Sequence, residues 1–147
     1  MMTRQEAFNI AWDWFVVQGH GPSVKSVKIL DPVALADYHD CESDEKFCAY
    51  RADDGNRCAI GLLIPDDVYQ TSFDGGPAVA GCGIVNLVKD YEPIKALFGD
   101  DLTFYCALQV CHDDAGLSFR RLSPSFAVAF RNNMLKLASQ YKLTVPA

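Results

Sequence analysis

The stretch Asp53-Asp54-Gly55-Asn56 constrains this chain more than any other. Asp, Gly and Asn tolerate the positive φ of a tight turn, and they lie between two runs able to extend, Lys46–Ala52 and Arg57–Ile60. The pattern predicts a β-hairpin. If Asp54-Gly55 forms a two-residue turn, Arg51 pairs with Cys58, and Cys48 projects from the opposite face to Cys58. An odd-length turn with a bulge would return both cysteines to one face.

Helical signals surround this hairpin. Thr3-Arg4-Gln5-Glu6 has the spacing of a capping box. Phe8, Ala11, Trp12 and Phe15 then recur at helical period, and Gly19 is a stop signal, so a helix is expected from about residue 3 to 18. Ile10, Trp14 and Val17 form a second apolar stripe on it, which a homodimer contact would cover. Val24–Leu30 alternates weakly, as a strand would. Asp31-Pro32 can open a short helix through Ala36, and Asp37–Glu45 reads as an acidic loop. Beyond the hairpin, Ala59–Ile64 is apolar and Pro65 can begin a short helix. Phe73–Pro77 reads as a turn, and Gly81-Cys82-Gly83 as a break. Ile84–Lys89 fits helix or strand. Glu92–Phe98 reads as helix closed by Gly99, and Asp100 or Asp101 can cap another helix through His112. Ser123-Pro124 opens the last helix, whose buried stripe is Phe126, Phe130, Met134, Leu137 and Tyr141. Together these elements predict a single α+β domain over residues 1–147. A small, mostly antiparallel sheet is built on the central hairpin and packed by an N-terminal helix and C-terminal helices.

Composition sets the outer limits. Half of the 147 residues are hydrophobic, enough for one core that needs no disulfide or metal to fold. Six cysteines are present, but no secretory signal precedes them, so free thiols in a cytoplasm are expected. No run approaches the ~18 apolar residues of a membrane span. The net charge of −6 argues against general nucleic-acid binding. Acids concentrate between Asp31 and Asp54, whereas Arg120, Arg121, Arg131, Lys136 and Lys142 follow the last acid, Asp114. The two segments either neutralise one another locally or offer a basic end to an anionic ligand or acidic partner.

Several strings recur together in one known group. Cys48-x-Tyr50-Arg51, Asp54-Gly55-x-x-Cys58-Ala59-Ile60-Gly61, Leu63-Ile64-Pro65-Asp66 with Tyr69, Phe73-Asp74-Gly75, and Leu108-Gln109-x-x-His112-Asp113 resemble a family of small uncharacterised proteins of tailed phages and prophages. The resemblance runs from about residue 48 to 114. It implies a phage accessory protein in the cytoplasm of a bacterial host, acting on a host process or defence, and it implies no particular reaction.

Four constellations could carry chemistry. Cys58, His112 and Asp113 suggest a cysteine-dependent hydrolase or transferase, since a thiolate needs a neighbouring base and an orienting group. Adjacent helical residues diverge by about 100°, so Asp113 is a poor orienter of His112, and Asp66 or Asp74 would serve better. The structural alternative is a buried thiol and a helix-capping imidazole. Zinc is not expected: Cys48, Cys58, Cys111 and His112 lack the close ligand pair that structural zinc sites begin with. Asp66, Asp67 and Asp74 could bind a hard cation or act as helix N-terminal acids. Finally, Arg51, Arg57, Asp66, Tyr69, Asp74 and His112 could line a site for a phosphate or carboxylate without catalysis. Arg51 and Arg57 could equally pair with Asp53, Asp54 or Asp66. The reading that results is a non-catalytic binder of a host protein or small anionic metabolite, without cofactor or metal. The enzyme and a structural homodimer or assembly component stand as alternatives.

Overall fold

A computed structural model describes residues 1–26, 46–48, 50–52, 54–74, 83–119 and 125–146. The N-terminal helix α1 (Arg4–Trp12) starts as its sequence predicts. The Thr3 hydroxyl accepts from the Glu6 N–H, and the Glu6 carboxylate accepts from the Thr3 N–H. The helix then widens into a π-helical turn, Asp13–Val17, in which the Gln18 N–H reaches back to the Asp13 carbonyl. Two short strands follow, β1 (Val24–Ser26) and β2 (Lys46–Cys48), paired antiparallel. The remaining elements are helices: α2 (Ala59–Leu63), a 3₁₀ turn (Thr71–Asp74), α3 (Gly83–Asp90), α4 (Glu92–Phe98), α5 (Leu102–Phe119) and α6 (Phe126–Tyr141).

The expected α+β architecture is therefore corrected to a mainly helical one. The ladder of β1 and β2 is three residues long and builds no central sheet. Two features of the expected hairpin change. Lys46–Cys48 pairs with Val24–Ser26 rather than with the run after the turn. The run Ala59–Leu63 is helix, and between the expected hairpin arms one isolated bridge remains, Arg51 opposite Arg57. The physical reason lies at Cys58. Its sulfur accepts the Gly61 N–H at 3.2 Å, so Cys58 is a helix N-cap, outside the usual set of Ser, Thr, Asp and Asn. A short apolar run reads equally as strand or helix, and here the cap decides. The same ambiguity at Ile84–Lys89 resolves as helix, with Ile84, Leu87 and Val88 on its buried side. The expectations for residues 31–45 and for Gly75–Cys82 lie outside the described residues.

The core forms where α1 and its π turn meet α2, α5 and α6. Phe8, Phe15, Ile60, Phe104, Leu108, Phe130 and Met134 are completely enclosed there. Helix α5 runs on beyond His112 and packs along α6. It is buried on more than one side, so Gln109, His112 and Asp113 are drawn inside together with Leu108 and Cys111. Arg4 ties α1 to the start of α5 through a two-pronged pair with Asp101, at 2.6 and 2.9 Å. Of the second stripe on α1, Ile10 and Val17 are exposed, while Trp14 stacks on His20 with ring centroids 3.6 Å apart. No helix among the described residues is long and apolar enough to cross a membrane.

Candidate functional site

The residues singled out from sequence separate into two groups, one sealed in the core and one on the surface. The sealed group begins with the turn. The Ala52 N–H donates to the Asn56 carbonyl, Gly55 takes φ +90°, and the Asp54 carboxylate accepts the Asn56 N–H at 2.9 Å. The loop is thus one residue longer than a two-residue turn, and Arg51 faces Arg57 instead of Cys58. Cys58 lies opposite Tyr50, whose carbonyl accepts the Cys58 N–H. A Cβ on Gly61 would come within 1.9 Å of that same carbonyl oxygen, so only glycine lets α2 start this close to the turn.

Helix α5 meets this corner with three polar side chains. Gln109 accepts the Ile60 N–H through Oε1 at 3.0 Å, which satisfies one of the free donors of the first turn of α2. Its amide nitrogen donates to Asp113 Oδ1 at 2.8 Å. The same carboxylate oxygen lies 3.0 Å from His112 Nδ1, and His112 Nε2 accepts the Ser23 N–H at 3.1 Å. A backbone N–H can only donate, so Nε2 carries the lone pair and the proton sits on Nδ1, directed at Asp113. The ring is enclosed by Phe15 and Phe126, each with its centroid 5.6 Å away. Sequence spacing argued against Asp113 as the orienter of His112, yet it holds that role. The helical divergence applies to Cβ directions, and the Asp113 carboxylate turns back along α5, where Gln109 also holds it.

These contacts answer the chemical question for Cys58 and His112. Both are fully buried. The sulfur caps a helix and the imidazole lone pair holds a backbone amide, so neither is presented to a substrate. Cys111, on the same helix, is also buried, and desolvation pushes its thiol up to about 12. Among the described residues no cluster of three or more His, Cys, Asp or Glu side chains could hold a metal ion.

The surface group gathers around Asp66. Residues directly opposite across an antiparallel bridge project from one face, so Arg51 and Arg57 emerge side by side. Both reach Asp66 Oδ1, Arg51 through Nη1 at 2.9 Å and Arg57 through Nη2 at 3.3 Å. Arg51 also donates from Nη2 to the Ile64 carbonyl at 2.7 Å, and its guanidinium lies 4.2 Å from the Tyr69 ring centre. The Pro65 carbonyl accepts the N–H groups of Val68 and Tyr69, and that turn presents Asp66 and Tyr69 together; no separate helix forms there. Arg57 lies 6.0 Å from the Trp14 ring, behind which stands the Trp14–His20 stack.

Of the six residues expected to line an anion site, Arg51, Arg57, Asp66 and Tyr69 are brought together. His112 is in the core. Asp74 ends the 3₁₀ turn, and its side chain lies outside the described residues. Trp14 and His20 join the cluster without having been expected. By spacing Trp14 belongs to a helical stripe, and the π turn that swings it toward Arg57 has no signature in residue spacing. No protein-family model, curated protein or solved structure matches the chain.

Proposed function

We propose that this protein is a non-catalytic binding protein whose Arg51–Arg57 face receives a small anion bearing a phosphate or carboxylate. The observation that carries the proposal is the sharing of one carboxylate oxygen by two guanidiniums. Asp66 is 78% exposed and is the partner of both arginines, whose side chains are 16% and 30% exposed. Two like charges held opposite one another repel, and the Asp66 carboxylate lies between them. An anion arriving from solvent would lower that repulsion further and use the planar donor fork of Arg57. Tyr69 lies against the face of the Arg51 guanidinium and Trp14 against that of Arg57. The setting, a phage or prophage protein acting on a component of a bacterial host, is carried by the resemblance of residues 48–114 and belongs to the same proposal.

Titration of the ¹⁵N-labelled protein with inorganic phosphate at low salt tests this reading. The amide and guanidinium signals of Arg51 and Arg57 should shift and saturate with a Kd on the order of 1 mM, the strength of one exposed charge-assisted contact set. Arg57→Gln should abolish the saturation. Absence of saturable shifts in the native protein, or equal binding by Arg57→Gln, overturns the reading.

A further inference from the structure

The anion face and the buried histidine are joined by a short chain of hydrogen bonds. His112 Nε2 holds the Ser23 N–H at 3.1 Å. The Ser23 hydroxyl donates to the Asn56 carbonyl at 3.2 Å. That carbonyl also accepts the Ala52 N–H at 2.9 Å and so closes the turn between Arg51 and Arg57. The Asn56 amide returns a bond to the Pro22 carbonyl at 3.3 Å. The segment Pro22-Ser23 is thus clamped between α5 on one side and the arginine-bearing turn on the other. Both Ser23 and His112 are fully buried, so water does not offer these groups an alternative partner.

We infer that His112 is a positioning residue for the anion site, acting through Ser23 and Asn56 to hold Arg57 beside Arg51. The inference rests on the anion-binding reading above. Its physical basis is the acceptor at Nε2. Without it the Ser23 N–H is buried unpaired, the clamp relaxes, and the turn loses the register that places Arg57 over Asp66. His112 touches no ligand in this scheme. It also gives the Leu108-Gln109-x-x-His112-Asp113 string two connected tasks: Gln109 seats α2 and His112 seats the turn.

The test compares His112→Leu, which removes the acceptor, with His112→Gln, whose side-chain oxygen can stand near the Nε2 position. In phosphate-free protein, hydrogen exchange at the Ala52 amide should quicken in His112→Leu relative to amides of α6, and return toward native protection in His112→Gln. Phosphate should bind His112→Leu about tenfold more weakly, within the range of couplings between linked sites, and bind His112→Gln nearly as in the native protein. Ser23→Ala cuts the next link and keeps the Ser23 N–H; it should show the same two effects more weakly, and it stands in should His112→Leu not fold. Native exchange at Ala52 in the acceptor-less variant or in Ser23→Ala overturns the inference whatever phosphate does. Native protein that binds no phosphate overturns the anion reading, and this inference with it, even where the exchange effect is present. Phosphate binding that Arg57→Gln abolishes and both His112→Leu and Ser23→Ala retain in full overturns this inference alone.

Discussion

The two polar groups of this molecule differ less in composition than in what each must do to exist. Gln109, His112 and Asp113 are inside, and they hydrogen-bond to other buried groups: the N-terminus of α2, the Ser23 amide and one another. Arg51, Arg57 and Asp66 sit at the edge, with one exposed carboxylate between two cations. The buried set is costly to leave incomplete, because a donor without a partner in the core forfeits its hydration. The surface set can exchange partners with solvent ions at little cost. The comparison teaches that motif residues of chemically reactive type can serve construction, while the proposed binding rests on ordinary arginines at the edge.

That division predicts large losses of stability inside and small ones outside. The largest is Gly61→Ala. Its methyl would overlap the Tyr50 carbonyl oxygen, and backbone cannot yield as a side chain can, so unfolding free energy should fall by about 3 kcal/mol or more in urea titration. Gln109→Leu comes next. It strips the Ile60 N–H of its acceptor and Asp113 of a donor, and should cost about 2–3 kcal/mol by the same measurement. A loss near zero for either variant would break the contrast, since it would mean that the corner of α2 and α5 is not tightly held.

The legibility of these two regions from sequence was uneven for identifiable reasons. The capping box at Thr3–Glu6 and the stripe Phe126, Phe130, Met134 and Leu137 are local patterns, and they became the helices expected. The turn at Gly55 was legible too, because its residues announce positive φ. What followed the turn was not, since a thiol cap at Cys58 and a carbonyl against Gly61 are contacts between segments rather than patterns within one. The pairing of β2 with β1 joins residues separated by a long intervening stretch, so no local rule points to it. At the site, Arg51, Arg57, Asp66 and Tyr69 were legible as neighbours of one turn. Trp14 was not, because a π-helical turn swings it toward Arg57, and neither was His20, which stacks on Trp14 from beyond that turn. The partner of His112 was hidden as well: its ring holds the Ser23 amide, which lies on a distant segment.

Between the extremes lies the Cys111 thiol, and pH separates it from the surface set. Burial holds its folded value at about 12, above the ordinary value of 9.0. A raised folded value stabilises fully below pH 9 and is lost as pH rises toward 12, because the unfolded chain releases the proton first. The native protein should therefore lose stability across that window by more than Cys111→Ala does, as read by denaturant titration at fixed pH steps. Equal slopes for the two proteins would show that the thiol is not held in the core.

The smallest change in stability should come from Asp66→Asn, and it sharpens the comparison most. Removing an exposed carboxylate should alter unfolding free energy by less than about 1 kcal/mol, the usual weight of a surface ion pair. The same substitution removes an internal competitor that both guanidiniums share. Phosphate affinity should therefore rise, by an amount that shrinks as salt is added, because the interaction is screened within about 10 Å at 0.1 M ionic strength. A fall in affinity would instead make Asp66 a part that holds the arginines in place, and the edge would then resemble the interior in needing its partners fixed. Opposite signs for stability and affinity distinguish a carboxylate that competes with the ligand from one that builds the site.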